Sequence, residues 1–239
     1  MTGDWDGAEA ELNRAIDGDG LAGMEALACF RAWVAALRGH APAARAILAG
    51  LGDLLATEDP QDQAVLAVAE AFTAAACGQP AAALRWARAV LGHAASIGIS
   101  HEYLRWAWPL AARAAHDLAD TATVRELLAL LDGYQPRLLA PMQRAERNLA
   151  RARLAAADGD PDAGPAFATA VTGLRQHSTP YHLAHGLLDH AAHLAARGDD
   201  QAAAAAIGEA AGIAQQLRCQ PLLDRVDTIQ AATPRTAAL

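Results

Sequence analysis

The chain has 239 residues, of which 53% are hydrophobic, 19% are charged and 5% are aromatic. This length supports a sizeable buried core, and three cysteines are too few for a small disulfide-stapled domain. The net charge of −8 repels a phosphate backbone, so binding of nucleic acid by this chain alone is not predicted.

The composition predicts an all-α protein. Alanine, the best helix former, is abundant, whereas the β-branched and aromatic residues that favour strands are scarce. Apolar residues spaced three and four apart, with Gly, Asp and Pro at the breaks, predict eleven helices and a short C-terminal one. Their predicted ranges are 4–17, 21–38, 41–52, 61–77, 80–96, 101–117, 120–132, 137–157, 161–176, 181–197, 200–217 and 220–231.

Every second break between the predicted helices is alike, and these breaks recur at spacings of roughly 36 to 41 residues. They are Gly3-Asp4, Gly39-His40, Gly78-Gln79, Ala119-Asp120, Gly159-Asp160 and Gly198-Asp199. The period predicts one domain of stacked helix pairs over residues 1–232. It divides into a half repeat at 1–20, repeats at 21–56, 61–98, 100–136, 137–178 and 180–218, and a cap at 220–231, before a disordered tail at 233–239. An ordinary Ala-rich bundle without a superhelix is the alternative.

The helix after each break has a small residue, then a larger apolar residue four positions later and another apolar residue three positions after that. Two clear examples are Ala8, Leu12 and Ala15, and Ala203, Ile207 and Ala210. A small side chain allows two helices of a pair to approach closely. The pattern resembles the tetratricopeptide repeat, although the period is longer than usual. The resemblance implies a right-handed superhelical solenoid of antiparallel helix pairs, with partners bound on its concave face.

The segment from Thr179 to Ile229 carries a narrower resemblance. Its shared elements are Pro180-Tyr181, the Arg197-Gly198-Asp199 turn, an Ala-rich helix and the Pro221–Arg225 cap. It is similar to the C-terminal end of actinobacterial multidomain ATPases linked to an adenylate-cyclase or LuxR-type DNA-binding domain. The ATPase, cyclase and helix-turn-helix motifs are themselves missing from this sequence, so those activities are not predicted. Because the chain opens in the middle of a repeat, we expect it to be part of a longer protein.

The cysteines and the N-terminus favour a cytoplasmic location. Cys29, Cys77 and Cys219 are far apart among apolar or Ala-rich neighbours, which predicts reduced and mostly buried thiols. The N-terminus is acidic and lacks the apolar run of a signal peptide. No stretch approaches the ~20 apolar residues of a membrane span, so a membrane association is not predicted.

The sequence lacks the constellations that enzymes use. All 19 basic residues are arginine, which excludes a Walker-type phosphate loop, a kinase-type nucleotide site and Schiff-base chemistry, since each needs a lysine. Ser96, Ser100 and Ser178 lie at predicted helix ends, where capping explains them. The sequence therefore predicts neither a catalytic activity nor a cofactor.

The first helix of each pair lines the concave face of such a solenoid, and this placement identifies the candidate binding residues. They are Trp33, Phe72, Trp106, Arg113, His116, Glu146, Arg153 and His185. Aromatic and Arg side chains are common anchors of binding surfaces. The C-terminal half of this face is the more polar one, which favours an acidic protein segment or a small anionic effector as the partner. A core role for Trp33 and Phe72 is the alternative, and a homodimer stays open.

Two polar stripes are weaker candidates. Helix 181–197 carries His182, His185, Asp189 and His193 within an arc of about 80°, where spacings of four could bring two ligands to one metal ion. The ligands of a zinc site seldom all come from one helix, so a solvated or concave-face stripe is preferred. A second stripe on the helix at 137–157 consists of arginines that are either solvated or dock an anion: Arg144, Arg147 and Arg151.

These observations together predict a non-catalytic binding scaffold or sensor module. Its expected context is the C-terminal part of an ATP-dependent signalling or transcription regulator, with a peptide or small effector on the concave face. The alternative is a small-molecule enzyme or metal-binding protein that uses the His-rich helix 181–197.

Overall fold

The structure, a computed structural model, describes residues 3–17, 24–51 and 54–232. Its described residues form helices and no β-strand, which confirms the predicted all-α class. The tail predicted at 233–239 lies outside these residues, as do 18–23, 52 and 53. The helices are α1 (Trp5–Asp17), α2 (Met24–Leu37), α3 (Ala41–Ala49), α4 (Pro60–Ala76), α5 (Pro80–Gly92), α6 (Ala94–Ile97), α7 (Glu102–Asp117), α8 (Thr121–Asp132), α9 (Pro141–Ala157), α10 (Ala163–His177), α11 (Pro180–Ala196), α12 (Asp200–Leu217) and α13 (Gln220–Ala232).

The six breaks predicted from the sequence share one backbone conformation. Their first residues all have positive φ, from 55° at Ala119 to 101° at Gly3. Five of them close a helix with the same pair of hydrogen bonds, in which the turn residue and the residue after it donate to carbonyls three and five positions back. This is the Schellman motif, which satisfies the last carbonyl groups of a helix. The repeated breaks are therefore repeated turns.

The helices pack in a regular order. Five helices contact one another in chain order: α2, α4, α7, α9 and α11. Each of the five also packs against the helix that immediately follows it in the sequence. The Ala-rich faces of these helices allow them to approach one another closely, because the methyl group of alanine is small and still excludes water. The interior is consequently lined by these five helices.

Two helix boundaries differ from the sequence prediction by four residues, and the others in the described part of the chain by less. The predicted helix 80–96 ends at Gly92, and α6 follows as a separate short helix before Gly98, whose φ is 88°. The helix predicted to begin at 137 begins at Pro141, after a 3₁₀ turn at 136–138. Ala140 is extended because a residue before proline avoids the helical conformation.

The two ends of the described chain contact each other. The Cys219 thiol donates to the Leu37 carbonyl at 2.9 Å, and the Gln220 amide donates to the Arg38 carbonyl at 3.3 Å. The Arg38 guanidinium in turn donates to the Asp6 carboxylate on α1. The start of α13 is thus fixed against the end of α2, and the helices enclose a central space.

All three cysteines are free, and two of them are buried, as the sequence predicts. Burial raises the pKa of the Cys29 and Cys219 thiols to about 12, so both stay protonated at neutral pH. Within the described part of the chain, none of the helices combines the length and the apolar character that a membrane crossing requires.

The repeated turns generate a stability prediction. Ala119 adopts the left-handed conformation that costs an L-residue about 1–2 kcal/mol, so Ala119→Gly should stabilise the protein by about 1 kcal/mol net of the added chain entropy. Gly78 has a φ of 67° at an equivalent turn and open space around its Cα, so Gly78→Ala should destabilise by a similar amount. Thermal melting should move by about 2–4 °C in opposite directions. Shifts of the same sign for the two variants would contradict the shared turn conformation.

Candidate functional site

Four aromatic side chains meet in the central space. Trp33 of α2 lies 5.3 Å from Phe72 of α4 and 5.2 Å from Trp106 of α7, measured between ring centroids. Tyr181 of α11 stacks on Trp106 at 5.8 Å. Rings at these distances attract each other beyond the gain from buried area. We call these four residues the aromatic cluster; it joins α2, α4, α7 and α11.

Helical spacing places polar side chains beside the aromatic cluster. Arg113 lies seven residues after Trp106 on α7, and His185 and Asp189 lie four and eight residues after Tyr181 on α11. Residues at these spacings share one face of a helix. The faces that carry the aromatic cluster therefore also bring Arg113, His185 and Asp189 into the interior, where all three are buried.

Asp189 is the centre of a buried ionic network. One of its carboxylate oxygens accepts hydrogen bonds from Arg153 of α9, the Nε bond being 2.6 Å long. The other oxygen accepts from Arg225 of α13. Burial by itself raises the pKa of Asp189, but the two guanidinium groups outweigh it and lower this pKa to about 2. Asp189 is therefore ionised, and it holds three helices together.

His185 presents a free donor in this network. Its Nδ1 lies 2.8 Å from Nη1 of Arg225, and because a guanidinium only donates, Nδ1 must be the acceptor. Burial, followed by the charges of Arg113 and Arg225, lowers the pKa of His185 well below its ordinary value. The neutral ring then carries its proton on Nε2, which is buried and has no hydrogen-bond partner.

Arg113 presents two further donors. Its guanidinium carbon lies 5.9 Å from the centre of the Tyr181 ring, within the range of a cation–π contact. Its Nε and Nη2 atoms are buried and have no hydrogen-bond partner. Buried polar groups are nearly always paired in folded proteins, so these N–H groups and the one of His185 need an acceptor.

A cavity of about 230 Å³ lies beside these donors. Its polar wall consists of Arg113, Asp117, His185 and Arg225, and apolar or aromatic groups such as Phe72, Leu110 and Tyr181 form most of the rest. A mostly apolar cavity with a few convergent polar groups is typical of a small-molecule site. Its wall also includes Ala36 and Leu37 from the end of α2, so the contact between the chain ends helps to enclose it.

Glu146 of α9 is a second buried carboxyl group near this network. Its Oε1 has no hydrogen-bond partner. Burial raises the pKa of Glu146 to about 7, against the opposing charges of Arg113 and Arg153. Near neutral pH the group therefore changes between its neutral and charged forms in the interior.

The structure distributes the candidate residues of the concave face over three environments. Phe72, Arg113 and His185 line the cavity, and Glu146 and Arg153 belong to the buried network behind it. Trp33 and Trp106, at 0% and 3% exposure, lie in the aromatic cluster and present no surface to a partner. His116 points away from the cavity: its side chain is 49% exposed, and its Nδ1 lies 3.8 Å from Asp117.

Three residues of the histidine stripe of α11 are buried, His182, His185 and Asp189, so the solvated alternative of the sequence interpretation does not hold for them. His182 is buried, with Nδ1 2.8 Å from the Thr179 hydroxyl, and Asp189 is held by two arginines. His193 packs on the Phe167 ring at 5.1 Å, about 16 Å along the helix from His182. No group of three His, Cys, Asp or Glu side chains placed to hold a metal ion occurs among the described residues.

The arginine stripe of α9 lies at the surface and is engaged by the protein itself. Arg147 and Arg151 bind the Asp132 carboxylate at 3.1 and 2.8 Å. Arg144 donates to the carbonyl groups of Pro136 and Leu139. These contacts fasten α9 to the preceding turn, which explains the stripe without an anion.

Sequence reasoning missed most of the cavity wall, including its residues Asp117, Tyr181 and Arg225. The four-residue spacing from Tyr181 to His185 was the available signal for Tyr181, because it places the ring on the polar face of α11. No local pattern identifies Arg225, since its position depends on how the cap returns toward α2.

Comparisons with protein-family models, curated proteins and solved structures find no significant match to the chain.

The raised pKa of Glu146 predicts a pH-dependent stability. The folded state binds this proton more tightly than the unfolded state, so its stabilising contribution is complete below about pH 4.5 and is lost as the pH rises to about 7. Glu146→Gln keeps the shape without the charge. Relative to wild type, it should gain up to roughly 3 kcal/mol of unfolding free energy at pH 8 and little at pH 4.5.

Urea unfolding at both pH values measures this difference. Glu126→Gln is the matched control, because Glu126 is an exposed carboxylate paired with Arg88 at 3.2 Å. Its effect on stability should be small at both pH values. A Glu146→Gln effect that is the same at pH 4.5 and pH 8 would show that the folded protein does not favour the protonated carboxyl.

Proposed function

We propose that the chain is a non-catalytic binding or sensor module that holds a small effector in the central cavity. The observation that carries this proposal is the combination of the cavity with three buried donors that lack partners, on Arg113 and His185. Unpaired buried donors are costly, at about 1–3 kcal/mol each. Unpaired donors on residues that line a cavity are therefore candidates for pairing with a ligand.

The packing favours a small effector over an extended peptide. Trp33 and Trp106, which would line an open groove, are enclosed by their own helices. The remaining space is about 230 Å³, below the usual range of about 300–1,000 Å³ for drug-sized ligands. A peptide segment would need the aromatic cluster to separate, whereas a compact molecule needs no such change.

The same proposal includes a helical-repeat origin of the fold. The recurring turns with positive φ and the regular order of helix packing support tetratricopeptide-like pairs arranged in a right-handed superhelix. The resemblance of the last repeat and cap to actinobacterial ATPase regulators supports a cytoplasmic signalling or transcription role as their C-terminal part. In that role, the module would report the effector to the other domains.

Cavity filling tests this function. Ala76 lines the cavity, so Ala76→Phe should occupy it, whereas Ala89→Phe adds the same ring at an exposed position of α5. Binding is measured by saturation-transfer NMR with three compact probes that differ in charge: benzoate, benzamide and benzylamine. At least one probe should bind wild type and Ala89→Phe, and Ala76→Phe should weaken that binding at least about tenfold.

Circular dichroism of all three proteins establishes that the filled variant is folded. If none of the probes binds wild type, or if Ala76→Phe binds like wild type, the central cavity is not the binding site and the proposed function is wrong. This test does not depend on which of the three probes binds.

A further inference from the structure

The donors on the cavity wall define the kind of ligand group that can pair with them. Arg113 offers Nε–H and Nη2–H, and neutral His185 offers Nε2–H; all three are buried without partners. Each is a donor, and neither a guanidinium nor the Nε2–H of this tautomer can accept a hydrogen bond. The matching group on a ligand must therefore present acceptors alone.

The charges around the cavity favour an anion. Arg113, Arg153 and Arg225 bring three positive charges, against the ionised Asp189 and the partly ionised Glu146. An excess of at least one positive charge remains in a buried site, where charge is poorly screened. Asp117 also lines the cavity and its negative charge acts on Arg225, but its side chain is 56% exposed, so water weakens this charge relative to those of the buried groups.

The size and lining of the cavity limit the rest of the ligand. An engineered cavity of about 150 Å³ holds benzene, so about 230 Å³ accommodates a molecule of roughly ten non-hydrogen atoms. Most of the wall is apolar, with Phe72, Leu110 and Tyr181 among its larger side chains. The body of the ligand must therefore be compact and apolar, and only one end can be polar.

A carboxylate meets these conditions better than a phosphate does. Its two oxygens are acceptors without protons, and the fork of an arginine binds them in one plane. Its single negative charge balances the smallest excess in the site. A phosphate monoester carries about −1.5 to −2 charges, more than the smallest excess in the site, and a third acceptor oxygen beyond the two that a guanidinium fork binds.

We infer that the cavity binds a monocarboxylate with a compact apolar body, its carboxylate paired with the free N–H groups of Arg113 and His185. This inference rests on the proposed function, because it assigns the ligand class of the same site. It distinguishes a carboxylate from a neutral amide of equal shape, since the amide NH₂ would face donors. Arg225 and Arg153 remain bound to Asp189 and contribute charge, and of the two only Arg225 also lines the cavity.

Isothermal titration with benzoate, benzamide and phenyl phosphate tests the inference. Benzoate should bind wild type at least about tenfold more tightly than either of the other probes. Arg113→Met removes the fork and its charge, and it should weaken benzoate binding by roughly tenfold to a hundredfold while benzamide binding changes little. His116→Ala, one turn further along α7 but exposed, is the control and should bind like wild type.

Arg113→Lys provides a second variant in case Arg113→Met does not fold. It keeps the positive charge but lacks the planar fork, so benzoate binding should fall to a value between those of wild type and Arg113→Met. Thermal melting of each variant verifies folding.

The outcomes separate the ligand class from the function. Equal binding of benzoate and benzamide, or tighter binding of phenyl phosphate, overturns the carboxylate class and leaves the binding function in place. Benzoate binding that survives both Arg113 substitutions also overturns the inference. Failure of every probe to bind overturns the proposed function as well.

Discussion

The contact between the rings of Trp33, Phe72, Trp106 and Tyr181 is the interaction on which the interior depends. Ala-rich helices approach one another closely, but methyl groups leave space where α2, α4, α7 and α11 converge. Four large side chains from these four helices meet there. The cavity lies beside them and is lined by Phe72 and Tyr181 of the aromatic cluster and by His185 on the polar face of α11.

Asp189 offsets the cost of burying arginine side chains in the interior. Each buried guanidinium loses its hydration, which costs several kcal/mol unless a partner compensates. Asp189 pairs with two of these guanidinium groups. Because Arg153 comes from α9 and Arg225 from α13, Asp189 of α11 also joins α13 to α9. Arg113 has no ion pair of this kind, and Glu146 acts on it only through its charge. The site is asymmetric for this reason: two arginines serve the structure, while the third keeps its donors free.

The local structure could be predicted from the sequence, whereas much less of the interior could be predicted from it. Helix positions follow from apolar spacing and from the glycines at the turns, and even Ala119 could be identified because its neighbours keep the period. The face of α7 that carries Trp106 and Arg113 follows from the same spacing. What spacing cannot give is whether that face opens to solvent or closes on itself. Closure depends on the contact between Leu37 and Cys219, which are 182 residues apart. The sequence left a core role for Trp33 open, but the burial of Trp106 and the role of Arg225 were beyond reach for this reason.

Closure and the cavity are physically coupled. The cavity wall includes Leu37 at the end of α2 and Arg225 of α13, and the hydrogen bonds between the chain ends join the residues next to these two. A molecule held in the cavity contacts both ends at once, so separating the ends exposes it to water. Its binding free energy then adds to the free energy that keeps the ends together, as linkage requires. A ligand of the cavity would therefore act by stabilising the contact between α2 and α13.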